Sequence, residues 1–200
     1  MHKCRLFLIF DLMINRFIFI GLLSLLSFWS YSQSGMVASV GVSMAFSDNP
    51  AVNKPNEVMS GWHASLSGRF GNRNLFLRPG LELHKVKLQS KEMLDPFSNL
   101  PAAYFLKIPM QIGYKLINTE AFKLRLMGGG QFSYTAFIEE NELGLDHNSI
   151  NDASFGALFG AGVDFGPLVV DFNFEKGITA LYHDTDFKTD YIFVSIGFFF

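Results

Sequence analysis

Residues 35–46 read GMVASVGVSMAF. Met36, Ala38, Val40, Val42, Met44 and Phe46 share one side of an extended chain. Gly35, Ser39, Gly41, Ser43 and Ala45 share the other, with Val37 the one bulky exception. Side chains of a strand alternate between two faces, so this period of two predicts a β-strand with one apolar face and one small or polar face.

The same division recurs seven more times. Trp62, Ala64, Leu66, Gly68 and Phe70 alternate with His63, Ser65, Ser67 and Arg69. Leu75, Leu77, Pro79, Leu81 and Leu83 alternate with Arg78, Gly80, Glu82 and His84. Tyr104, Leu106, Ile108, Met110, Ile112, Tyr114 and Leu116 oppose Lys107, Gln111 and Lys115. Phe122, Leu124, Leu126, Phe132 and Tyr134 oppose Lys123, Arg125, Gln131 and Ser133. A sixth segment sets Phe155, Ala157, Phe159, Ala161, Val163 and Phe165 against glycines and Asp164. A seventh sets Leu168, Val170, Phe172 and Phe174 against Asp171, Asn173 and Glu175. In the eighth, Ile192, Val194, Ile196, Phe198 and Phe200 form the apolar face. Pro79 and Pro109 each remove a ladder donor and so count against an unbroken sheet there.

The connections alternate in length. Long polar ones run over 47–59, 87–102, 137–152 and 183–190; short ones are 71–74, 118–121 and 166–167. Long loops on one side and tight turns on the other are the pattern of outer-membrane barrels, with the turns in the periplasm. The apolar-face aromatics also sort by height. Phe46, Trp62, Tyr104, Tyr134 and Phe155 lie near loop ends; Phe70, Tyr114, Phe122, Phe165 and Phe200 lie near turn ends. Two such girdles are expected at two membrane interfaces. The fold expected is all-β: a closed, eight-stranded, antiparallel, up-and-down transmembrane barrel over residues 33–200.

The start of the chain predicts export. Phe17 to Trp29 (FIFIGLLSLLSFW) is uncharged, follows Arg16 and is succeeded by Ser30 and Ser32. It is shorter than the roughly 20 residues of a membrane helix. A basic flank, a short apolar core and a small-residue exit describe a cleaved signal peptide over 1–32. Met13 offers an alternative start, since MINR would be an ordinary basic flank. Asp11 and Arg16 interrupt the longer run from Leu6 to Trp29 that a membrane anchor would need. Cleavage removes Cys4, the only cysteine, which excludes disulfides and thiolate metal sites from what remains. It also removes Lys3, Arg5 and Arg16 against Asp11, leaving the remainder more acidic than the −2 of the whole chain. That balance argues against nucleic acid as a partner. Charged residues are 17% of the chain, below the roughly 25% of soluble domains.

Leu75 to Leu116 carries a family resemblance. LFLRPGLELHKVKL, then a loop, then YFLKIPMQIGYKL, resembles the PorT-like outer-membrane β-barrel domain family. GGGQFSY, FGALFGAGVDFG and VVDFNFEKGIT fit the same pattern further on. The resemblance covers essentially 35–200 and implies an eight-stranded barrel in the outer membrane of a Gram-negative bacterium. It implies no defined activity, and no secretion role is carried over to this chain.

The polar faces hold six basic residues, Arg69, Arg78, Lys107, Lys115, Lys123 and Arg125, and four acidic ones, Glu82, Asp164, Asp171 and Glu175. Eight strands leave an interior just wide enough for side chains, so a polar network filling the lumen is expected; a narrow ion or water path is the alternative. His63, Ser65, Glu82 and His84 combine nucleophile, base and carboxylate on neighbouring inward faces. Ser65 lies in no nucleophile motif, and no catalytic residue is assigned. The loops gather Glu139, Glu140, Glu142, Asp146 and Asp152, then Asp184, Asp186 and Asp190, with His147 and His183 nearby. No calcium-loop spacing orders them, so no metal or other cofactor is expected. Ile196, Phe198 and Phe200 resemble the terminal assembly signal that outer-membrane insertion machinery reads. The expected partners are the lipid bilayer, that machinery, and an extracellular or envelope protein at the loops. The expected function is a non-enzymatic membrane scaffold; a lumen or rim enzyme and a small-solute channel are the alternatives.

Overall fold

A computed structural model describes residues 34–47, 59–87, 95, 97, 100–140, 151–180 and 188–200. The expected signal segment 1–32 lies outside them. The strands are β1 (Gly35–Ser47), β2 (Met59–Asn72), β3 (Leu75–Lys87), β4 (Ala102–Asn118), β5 (Phe122–Ile138), β6 (Ala153–Phe165), β7 (Leu168–Gly177) and β8 (Thr189–Phe199). Each pairs antiparallel with the next, and β8 returns to pair with β1, closing the barrel. Closure leaves no edge whose backbone groups would face lipid without partners.

The faces run as the period of two requires. Val40 is 61% exposed, Ile112 60% and Phe159 58%, whereas Arg125 is 0% and Lys107 1% exposed. Apolar side chains outside and charges inside are the inverse of a water-soluble sandwich. The outward aromatics meet across strands near both rims: Phe132 with Phe155 at 5.1 Å, Phe122 with Phe165 at 5.2 Å between ring centroids.

The tight turns lie at one end. Arg73 and Asn74 join β2 to β3, and Arg73 adopts φ +46°. Gly166 and Pro167 join β6 to β7, with Gly166 at φ +57°. Two-residue hairpins need such positive φ to match strand twist, and glycine meets the need without strain. At the other end β8 starts earlier than the sequence suggested. Asp190, expected in a loop, lies in β8 opposite Phe46. Its carboxylate accepts hydrogen bonds from Lys176 Nζ at 2.6 Å and Gly177 N at 3.1 Å. An acid at a strand's loop end carries a loop's polarity without leaving the ladder.

Both mid-strand prolines sit at interruptions in the ladder. The β2–β3 pairing breaks between Ser67↔Gly80 and Phe70↔Leu77, which spans Pro79. The β3–β4 pairing breaks between Pro79↔Met110 and Glu82↔Lys107, which spans Pro109. Each proline is paired on its other side, Pro79 to Met110 and Pro109 to Gln131. The missing donors are thereby confined to two short gaps on either side of β3. Gly80 borders both, and a Cβ there would meet the Pro109 ring at 3.0 Å.

Candidate functional site

The interior is built in layers. Nearest the turns, Arg69 from β2 donates to Asp164 from β6, Nη1 to Oδ2 at 2.7 Å and Nη2 to Oδ1 at 3.3 Å. Arg125 from β5 donates through Nη2 to Asp164 Oδ1 at 2.7 Å and to Asp171 Oδ1 at 2.9 Å. Arg78 Nη1 forms an ion pair with Asp171 Oδ2 at 2.7 Å, and its Nε donates to Ser67 Oγ at 3.1 Å. Five strands thus contribute three guanidinium groups around two carboxylates, all buried. A guanidinium presents several donors in a fixed fork and can serve two carboxylates at once.

Glycines make this possible. A Cβ at Gly162 would lie 2.2 Å from Asp171 Oδ1 and 2.7 Å from Arg125 Nη2. The register places Gly162 opposite both Arg125 and Asp171. Gly156 leaves similar room for the Glu175 carboxylate. The bare polar face of β6 is space for its neighbours' charges.

Higher up, Lys107 Nζ donates to Glu175 Oε2 at 2.5 Å, and Gln131 Nε2 donates to the same oxygen at 3.1 Å. The ammonium also lies 3.8 Å from the Tyr191 ring centroid and 5.1 Å from that of Phe193. Glu82 Oε2 is 2.7 Å from His84 Nε2. His84 stacks on His63 at 4.8 Å, with Phe193 edge-on to both. Ser65 hydrogen-bonds Ser39, Oγ to Oγ at 2.6 Å. Among the described residues, the side-chain partner of Ser65 is therefore another serine. The void beside His63, Ser65 and Glu82 is about 10 Å³, room for one water. At the loop end Ala45, Met59, Val86, Ala103, Phe105, Leu158, Tyr191 and Phe193 form a buried apolar plug. None of these eight residues is among the lumen residues expected from sequence.

Of the ten lumen residues expected from sequence, eight meet ion-pair partners: Arg69, Arg78, Arg125, Asp164, Asp171, Lys107, Glu175 and Glu82 with His84. Lys115 and Lys123 do not; no carboxylate among the described residues pairs with either. Both line a cavity of about 300 Å³ at the turn end.

The loop feet are tied together. Glu139, just past β5, accepts from Ala102 N at 3.0 Å and Tyr104 Oη at 3.0 Å, with Lys85 Nζ at 3.4 Å. Burial pushes its carboxyl up, but the donors from Tyr104, Ala102 and Lys85 outweigh that and hold it below the usual glutamate value. Thr135 Oγ1 donates to Asn151 O at 3.0 Å, and Asn151 Nδ2 donates to Ala180 O at 2.9 Å. These bonds link the bases of successive loops. Glu142, Asp146, His147, His183, Asp184 and Asp186 lie outside the described residues. Among the described residues no three His, Cys, Asp or Glu side chains converge as metal ligands. On the last strand Ile196, Phe198 and Phe200 are 52%, 61% and 67% exposed. Phe200 exchanges backbone hydrogen bonds with Met36 at 2.7 and 2.9 Å.

A family model described as "Outer membrane protein beta-barrel domain" matches residues 30–183. Among solved structures, Neisserial surface protein A of Neisseria is similar with a TM-score of 0.54 at 12% identity, over 84% of this chain and 97% of that one. The outer membrane protein OprG of Pseudomonas aeruginosa aligns with a TM-score of 0.49 at 11% identity, over 85% of this chain and 97% of that one. Ail, the attachment invasion locus protein of Yersinia pestis, aligns with a TM-score of 0.43 at 14% identity, over 84% and 99%. No curated protein matches the chain in sequence.

Proposed function

Because the chain belongs to the outer membrane protein β-barrel domain family, integral to the Gram-negative outer membrane, we propose that it is a non-enzymatic scaffold that presents its long loops to a partner outside the cell. The observation that carries this reading is the lumen, which is filled from the ion-pair network up to the loop end. Ion pairs occupy the turn-side half, and rings and methyl groups occupy the loop-side half. A void of about 10 Å³ beside His63 and Ser65 admits no substrate, which also weighs against a conducting path. What remains available on the loop side is the rim, whose feet are clamped by Glu139, Asn151 and Asp190. Rigid feet hold loops at fixed spacing and lower the ordering cost of binding. The strand pattern around LKIPMQIGY supports the PorT-like branch of the family. The same reading makes the Ile196, Phe198 and Phe200 face the surface that insertion machinery meets before β8 closes on β1.

Reconstitution in planar bilayers, paired with crosslinking from the loops in native membranes, tests the proposal. Silent bilayers and a defined protein crosslinked through residues 141–150 or 181–187 are expected. A steady conductance with no loop crosslink would replace the scaffold with a channel.

A further inference from the structure

The turn-end cavity is unlike the rest of the lumen in its charge. Around it and directly above it stand Arg69, Arg78, Lys115, Lys123 and Arg125, five cations, against Asp164 and Asp171. Both carboxylates are already taken by the three guanidinium groups. Three positive charges are left unmatched around a cavity enclosed on its sides by the barrel wall. The donors are left over as well. Lys115, 9% exposed, and Lys123 have no hydrogen-bond or ion-pair partner among the described residues. Arg69, 5% exposed, has a buried Nε with no acceptor. The cavity of about 300 Å³ is open at the turn mouth, with Phe76 and Phe199 on its wall.

We propose that this cavity binds a phosphate group entering from the periplasmic side. A phosphate supplies what the walls lack: more than one negative charge, and several strong acceptor oxygens for ammonium and guanidinium donors. A single carboxylate would leave most of the positive charge unmatched. The open mouth admits either a free phosphate ion or the phosphate end of a larger molecule.

The test uses the mature barrel in uncharged maltoside micelles, in a low-salt buffer without phosphate, titrated calorimetrically with inorganic phosphate and separately with glycerol phosphate. Saturable one-to-one binding is expected, weakened by added sodium chloride. The double variant Lys115→Gln/Lys123→Gln should lose about tenfold or more in affinity, the scale of one charge-assisted hydrogen bond. Lys85→Gln, at the loop rim, should bind like the parent. If the double variant does not fold, as judged by gel mobility before boiling, Lys123→Gln alone is used, with a loss of about threefold or more expected. Preference for inorganic phosphate would point to the free ion, and preference for glycerol phosphate to an esterified end group. Absence of saturable binding to the parent, or equal affinity in parent and folded variant, would overturn the proposal.

Discussion

Below Lys107 the lumen is held together by charge; above it, by rings and methyl groups. The two halves respond differently to damage. The apolar plug is cohesive in any direction, so losing one group costs contacts and leaves a small void. The turn-side network is specific. Each of its two carboxylates is tolerable there because guanidinium groups face it, and removing one leaves those cations buried with a partner missing. The charged half should therefore be brittle and the apolar half forgiving.

Asp171→Ala should have the largest effect. It strips one carboxylate from Arg78 and Arg125, and a broken buried pair costs about 3–5 kcal/mol. Urea unfolding of the refolded barrel would measure it. A loss under about 1 kcal/mol, the surface ion-pair range, would mean that water compensates the network and the contrast between halves is false.

Moving a charge to the other side of the wall sharpens the contrast. Val40→Arg faces lipid and should cost about 2–4 kcal/mol near the midplane. Ser39→Arg, one residue away and inward, should be limited by crowding rather than by hydrocarbon. Normal folding of Val40→Arg with failure of Ser39→Arg would invert the faces.

Phe193→Leu probes the forgiving half. It thins the plug and removes one ring from Lys107, for an expected loss of about 1–2 kcal/mol. A loss as large as that of Asp171→Ala would erase the distinction.

The smallest effect belongs to the rim. Glu139 is held below the usual glutamate value, so its pairing stabilises the fold above that value. The contribution falls away as pH drops below about 4.3 and through the lowered folded value. For a side chain 32% exposed, about 0.2–1 kcal/mol is expected. Glu139→Gln should flatten that part of the acid unfolding curve while leaving neutral-pH stability lower by the same amount. An unchanged acid profile would show that the clamp contributes nothing.

The alternation of small and large side chains in 35–46 and its seven counterparts made the strands and their faces legible, because a period of two is local. Pairing inside the lumen was not. Arg69 and Asp164 are 95 positions apart, and nothing in a list of six bases and four acids says which two meet. Glu82 and His84 were closer to readable, lying two residues apart on one strand. The plug escaped notice for a different reason. Tyr191 and Phe193 alternate with Ile192 and Val194, so that strand is apolar on both faces there and hydropathy cannot separate lipid from lumen. The cavity between Lys115 and Lys123 was hidden likewise, since a shortage of carboxylates at one height appears only once the strands are in register.

The bond from Arg69 to Asp164 joins β2 to β6, strands that never touch in the sheet. Such a spoke has no partially assembled form. A barrel still open at the β1–β8 seam would hold these side chains apart, with hydrocarbon or the insertion machinery in place of the missing partner. Peeling one strand away from the finished wall would cut spokes to several others at once. The wall alone could unzip one hairpin after another; the spokes couple those steps into a single event. Detergent or heat should find no half-open barrel between the closed state and the unfolded chain.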